Sequence, residues 1–167
     1  FVEGEGMWFM QGTGNDGTAI LLNSSGTVTK TLTIGGNGMF FHASKNYIMR
    51  QTYPAKTIEI TNKSGTVITT ISTTYYGTGL LGCINEYHSL IFFIHPATCD
   101  IYNLSGTLLY SVTVPNISTG YSANLLIPCK GGAILLFDND ENTSISTIST
   151  VGTVTTRTLT KTDSKEN

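Results

Sequence analysis

The sequence predicts an all-β chain built as a β-propeller, or an arc of one. About four blades are expected, each of four antiparallel strands, with no helix. Three observations predict it. A five-residue phrase, Asn-x-Ser-Gly-Thr, occurs as NSSGT at Asn23, NKSGT at Asn62 and NLSGT at Asn103. Gly-Thr pairs at Gly26, Gly65, Gly106 and Gly152 are spaced by 39, 41 and 46 residues, the period of a repeat array. Short, β-branched, roughly alternating segments flank each pair, as expected of strands whose side chains point to opposite faces in turn.

Each repeated phrase reads as a hairpin turn. The Asn side chain can accept a backbone N–H two residues on, the next two residues take right-handed helical angles, and Gly supplies the positive φ that closes the loop. The fourth copy, STVG at Ser149–Gly152, keeps the Gly and loses the Asn, as expected if backbone geometry is the stricter requirement. TAILL, TIEIT, CDIYN and TSISTI enter these turns, and TVTKTLTI, TVITTIS, TLLYSVTV and TVTTRTLT leave them. Two more strands precede each of the last three hairpins: MFFHA and NYIMRQ, then LLGCIN and SLIFFIH, then YSANLLI and GAILLF. The predicted units are therefore 1–34, 35–74, 75–114 and 115–160, with 161–167 as a solvated, charged tail. The first unit is short: MWFMQ and TAILL serve as its second and third strands, leaving FVEG for the innermost. Propellers close with about 4 to 8 blades. The chain is thus expected to be a small ring, or an arc completed by self-assembly or by blades supplied from elsewhere. Its start, FVEGEG, reads as incomplete at the front.

The hairpin phrase resembles the Asp-x-x-Thr-Gly hairpin of quinoprotein-like and related propeller repeats, over nearly the whole chain. The resemblance implies the superfamily fold and carries no cofactor or active site with it. The aromatic residue usual after that hairpin appears only as Tyr110, and the His and Trp-Asp signals of WD repeats are missing, which disfavours an intracellular scaffold of that type.

Composition narrows the function. Charged residues are only 12% of the chain, so solubility rests on hydroxyls and amides. A net charge of -2 and nine scattered Lys and Arg offer no basic face for nucleic acid. No apolar run approaches the roughly 20 residues of a membrane helix. Cys83, Cys99 and Cys129 form no C-x-x-C pair; buried free thiols are the favoured reading, with a Cys83–Cys99 bridge as the alternative.

Candidate sites are few. GTGNDG at Gly12–Gly17 matches the dinucleotide fingerprint letter for letter, but a strand rather than a helix follows it, so a Gly-rich hairpin is favoured. Asp138, Asp140 and Asn142 alternate as in a calcium loop, although Thr143 and Ser149 stand where its Gly and Glu belong; a solvated turn is favoured, and calcium is the only metal considered. His42, His88 and His95 show no zinc or nucleophile-base spacing. Trp8, Tyr53, Tyr75, Tyr76 and Tyr121 fall in or beside connections, where exposed rings stack on sugars or anchor proteins; packing between blades is the competing role. Sequons at Asn23, Asn62 and Asn103 are accounted for by turn chemistry. The expectation is a non-enzymatic binding or structural module of a secreted, cell-surface or virion protein, tail-like or fibre-like, with a protein or glycan partner and no cofactor. The alternative is a fragment of a carbohydrate-active propeller enzyme, a hydrolase or lyase.

Overall fold

The computed structural model describes residues 7–11, 16–35, 37–75, 80–115, 123–138 and 142–160. Among them are fifteen strands and no helix, arranged as four antiparallel sheets in which sequence neighbours pair. Sheet 1 holds β1 (Met7–Gln11), β2 (Asp16–Leu22) and β3 (Val28–Gly35). Sheet 2 holds β4 (Asn37–Ala43), β5 (Tyr47–Tyr53), β6 (Thr57–Asn62) and β7 (Val67–Ser72). Sheet 3 holds β8 (Leu81–Asn85), β9 (Leu90–His95), β10 (Thr98–Asn103) and β11 (Leu108–Thr113), and sheet 4 holds β12 (Ala123–Cys129), β13 (Gly132–Asp138), β14 (Asn142–Ser149) and β15 (Val154–Thr160). FVEG, expected as an inner strand of the first unit, lies outside the described residues.

The repeated phrase forms the hairpin between the last two strands of each sheet. Its glycines share one conformation, with φ of 78, 86, 83 and 79° at Gly26, Gly65, Gly106 and Gly152. An L side chain is strained there, which is why glycine recurs in all four turns. The Asn does more than the sequence implied. Asn62 Oδ1 accepts both the Ser64 N–H at 2.9 Å and the Thr66 N–H at 3.0 Å, and Asn23 Oδ1 does the same for Ser25 and Thr27. In the fourth turn Ser149 takes over: its Oγ accepts from Thr153 N at 2.9 Å and Val151 N at 3.4 Å. A hydroxyl thus replaces the amide oxygen with the same reach. The first three hairpins carry a β-bulge one step before the turn, at Leu21/Leu22, Ile60/Thr61 and Ile101/Tyr102, whereas β14 pairs with β15 without one.

The chain forms two compact units, one with sheets 1 and 2 and the turn Leu104–Thr107, the other with sheets 3 and 4. In the first, Ala19 and Leu32 of sheet 1 bury against Ile48 of sheet 2, and Lys30 donates through Nζ to the Lys63 carbonyl in the next turn. In the second, Cys83, Phe92, Ile94, Cys99 and Ile101 of sheet 3 meet Leu126, Ala133, Leu135, Phe137 and Ile148 of sheet 4. Alternation places these residues on facing sides, and closely packed sheet faces of this kind supply most of the stability. Asn85 ties the same two sheets. Its Nδ2 donates to the carbonyls of Cys129 at 2.8 Å and Gly132 at 2.7 Å. All three cysteines are free; Cys83 and Cys99 are buried and Cys129 is half-buried.

Candidate functional site

The first unit carries two of the sequence-predicted aromatics at one end of sheet 2. Tyr53 is the last residue of β5, at 47% exposure, and Tyr75 follows β7, at 40%. The pairings Thr52↔Thr57 and Thr57↔Ser72 bring the end of β5, the start of β6 and the end of β7 to the same edge. The local reason is the turn at Pro54–Lys56, closed by Lys56 N–H to the Thr52 carbonyl at 3.1 Å and stapled to β7 by Thr73 N–H to the Lys56 carbonyl at 2.9 Å. Tyr75 is then fixed from within. Gln51, fully buried, donates through Nε2 to the Tyr75 carbonyl at 2.5 Å, and the Tyr75 N–H donates to Thr73 Oγ1 at 3.1 Å. Exposed rings on a backbone held by a buried amide would lose less freedom on stacking against a partner than rings on a loose connection.

Behind that edge, on the other face of β5, Arg50 forks onto Glu59, with Nε at 2.9 Å and Nη2 at 2.5 Å from Oε2. The pair sits opposite in register, and both side chains are largely buried, at 10% and 19% exposure. It holds β5 to β6 beneath the tyrosines, alongside the Thr52–Thr57 hydroxyl contact at 2.6 Å.

The second unit gathers a polar cluster that the sequence reading did not assemble. His95 closes β9, and His95 Nε2 lies 3.0 Å from Asp100 Oδ2 of β10. Tyr102 donates its hydroxyl to the same oxygen at 3.2 Å, and the His95 ring packs against Phe93 with centroids 5.8 Å apart. Asp100 and Tyr102 are two residues apart, hence on one face of β10; His95 joins them because Thr98 pairs with His95 and Asp100 with Phe93. Burial, then the Asp100 charge and its hydrogen bond, push the Tyr102 phenol up to about 12. Burial first and Asp100 second also raise the Cys99 thiol, and burial raises that of Cys83, so neither is a thiolate nucleophile at neutral pH. A His-carboxylate pair can move a proton, but this one has side chains only 8% and 16% exposed.

Of the remaining predicted residues, only Asp138 and Asn142 fall among the described backbone with Trp8, and Asp138 does not join these groups. Trp8 lies in β1 with its side chain outside the described residues, as are Tyr76, Tyr121 and Asp140 altogether. Asp138 ends β13 and accepts the Thr143 hydroxyl at 2.6 Å, the residue standing where a calcium loop has Gly; Asn142 opens β14. No cluster of three His, Cys, Asp or Glu suited to a metal occurs among the described residues. Asp16 and Gly17 of the dinucleotide-like phrase open β2, a strand antiparallel to β1, so no helix N-terminus follows them. His88 sits in the turn after β8 with Nε2 2.6 Å from the Lys130 carbonyl, and the neighbouring Tyr87 is the most exposed aromatic among the described residues, at 77%.

Comparison with known proteins agrees with this architecture. The chain is similar to the solved structure of a streptogramin B lyase, with 22% identity and a TM-score of 0.58, over 92% of this chain and 51% of that one. It is also similar to a functionally unknown protein from Desulfotomaculum acetoxidans DSM 771, with 16% identity and a TM-score of 0.54, over 84% of this chain and 50% of that one. The chain spans about half the length of these solved structures. No family and no curated protein matches it. Repeated four-stranded sheets together with these likenesses show the fold: this is an all-β repeat protein of the β-propeller class.

Proposed function

We propose that the chain is a non-enzymatic binding or structural β-propeller module of a secreted, cell-surface or virion protein, tail-like or fibre-like, that recognises a protein or glycan partner. The supporting observation is the sheet 2 edge, where Tyr53 and Tyr75 are exposed on a backbone anchored by buried Gln51. Low charge and a hydroxyl-rich surface accord with an extracellular setting. The test is binding of the chain to arrayed glycans and to a panel of cell-surface proteins, followed by Tyr53→Ala and Tyr75→Ala. Each substitution is expected to weaken binding by about tenfold or more, as for aromatic anchors. Binding that ignores both substitutions overturns the reading. Calcium held by Asp138, Asp140 and Asn142 is the alternative to a solvated connection there; calorimetric titration with calcium checks it, and no heat at millimolar calcium rejects it.

A second reading, part of a carbohydrate-active hydrolase or lyase, is favoured by one observation, the His95–Asp100 pair. Turnover of a polysaccharide panel that disappears in His95→Ala would establish it, and an unchanged rate would remove it.

A further inference from the structure

We propose that Asn23 and Asn62 are acceptor sites for an N-linked oligosaccharide, transferred from a polyprenyl pyrophosphate carrier to the side-chain nitrogen. The inference rests on the secreted or cell-surface setting proposed above.

The turn itself requires only part of the repeated phrase. Its Asn accepts backbone N–H groups and its Gly takes the positive φ. The Ser two residues after the Asn is needed for neither task, because the donor at that position is its backbone nitrogen. Yet Ser25, Ser64 and Ser105 follow Asn23, Asn62 and Asn103 at that distance, whereas in the turn capped by Ser149 the residue two on is Val151. Among the four turns, asparagine and the later hydroxyl occur together and are absent together. With Ser24, Lys63 or Leu104 between them, and never Pro, they form the acceptor sequence for N-glycosylation, which belongs on a surface loop.

The geometry leaves the reacting atom accessible. Both clamp partners are N–H donors, so the amide atom facing into the turn has to be the acceptor Oδ1. The amide is planar, and Nδ2 therefore points away from the backbone of the turn. In neither residue does Nδ2 hydrogen-bond to the described residues. The residues that follow, Ser24 to Thr27 and Ser64 to Thr66, are exposed. In the first turn the Ser25 hydroxyl also donates to Asn23 Oδ1 at 2.7 Å, which brings the required hydroxyl onto the acceptor amide. The turn after Asn103 is more crowded. Its Leu104 carbonyl accepts the Thr69 hydroxyl, and a Cβ on Gly106 would lie 3.0 Å from Thr69, against 3.7 Å from Leu32 for one on Gly65.

In the transfer, Nδ2 bonds to the anomeric carbon of the first sugar while the bond from that carbon to the pyrophosphate oxygen breaks. The polyprenyl pyrophosphate leaves with the electron pair, and the nitrogen gives up one proton to a base of the transferase. Oδ1 keeps both clamp bonds throughout. The bulky, solubilising glycan would thus project from a corner that stays closed.

The test expresses the 167-residue chain behind a cleavable leader in a eukaryotic secretory cell, and analyses secreted and retained chain alike. Tandem mass spectrometry after treatment with a peptide N-glycosidase reads each site, because release leaves Asp where a glycan stood. Asn23 and Asn62 are expected to be modified in most molecules, and Asn103 in fewer. Ser25→Ala and Ser64→Ala are each expected to abolish modification at their own site, and Ser25→Thr to retain it. Made in bacteria, without glycan, the two Ala variants are expected to unfold in urea close to wild type, since the clamp uses backbone nitrogens. The cell supplies the secretory setting, so an unmodified Asn23 or Asn62 overturns the assignment of that site and leaves the binding reading to its own arrays. Glycan retained after the Ala substitutions, or found only at Asn116 or Asn142, overturns the proposal.

Discussion

Gly132→Ala tests the packing between β13 and β14 at its tightest point. Gly132 has a φ of 141°, and a Cβ placed on it would lie 2.0 Å from the Ile148 carbonyl oxygen and 3.0 Å from the carbonyl carbons of Ile148 and Ser149. The obstacle is backbone in a paired strand, so it cannot swing aside. Relief requires the strands to part by more than about 1 Å, given ordinary contact distances near 3.5 Å. That opening costs the ladder at Gly132↔Ser149 and the Asn85 bond to the Gly132 carbonyl, about 1 kcal/mol each. Backbone strain adds about 1 kcal/mol or more. The total is about 3–5 kcal/mol, or a fall in Tm of roughly 6–20 °C for a domain of this size. Gly131→Ala is the matched control, since nothing lies within 4 Å of its Cβ position, and it should stay within about 1 kcal/mol of wild type. Urea unfolding followed by circular dichroism, with calorimetry in parallel, measures both. Equal stability of the two variants would refute the assigned backbone geometry.

Other outcomes are expected on the same grounds. Gly106→Val should destabilise more than Gly26→Val by urea unfolding: both glycines have positive φ, but only at Gly106 would a Cβ also press on Thr69 at 3.0 Å. Asn85→Ala should cost about 2–3 kcal/mol in the same assay, because one buried and one partly buried carbonyl lose their donor. Glu59→Gln should cost about 1–3 kcal/mol by removing the carboxylate charge that Arg50 faces in a largely buried setting, and the double replacement Arg50→Met, Glu59→Leu should recover part of it. Stability should fall at alkaline pH. The raised phenol of Tyr102 and thiols of Cys83 and Cys99 hold their protons longer in the folded state, so their contribution is complete below about 9 and is lost as pH climbs towards 12; Tyr102→Phe should flatten the part above 10. A thiol reagent should modify Cys129 first and leave Cys83 and Cys99 untouched until the chain unfolds, as counted by mass spectrometry.

The hairpins were legible in the sequence because their constraint is local: a positive φ at one residue selects glycine whatever lies around it. Strand order was legible for a related reason, since short connections leave antiparallel neighbours as the simplest pairing. What stayed hidden depends on register or on distant contact. His95 and Asp100 meet only because β9 and β10 pair with Thr98 opposite His95, and a shift of one residue would send one of them to the other face. Gln51 reaches Tyr75 across 24 residues, which no spacing rule announces. Asp100 and Tyr102 left a trace, two polar residues alternating with buried Cys99 and Ile101, the signal that one face of that strand was reserved for hydrogen bonds. The fourth turn misled in a small way: Ser149 looked like a lost cap and is a replacement for it.

The asparagine clamp bears on chemical ageing. In the turns at Asn23 and Asn62 both backbone donors go to Oδ1, and the side-chain nitrogen takes no part in either clamp bond. Slow deamidation to aspartate would therefore leave both bonds standing and add charge to their acceptor, which strengthens rather than loosens them. Ser149 has no amide to lose. Conversion to aspartate would keep these corners closed, whereas the isoaspartate formed by ring closure onto the next backbone nitrogen lengthens the chain and would open those at Asn23 and Asn62.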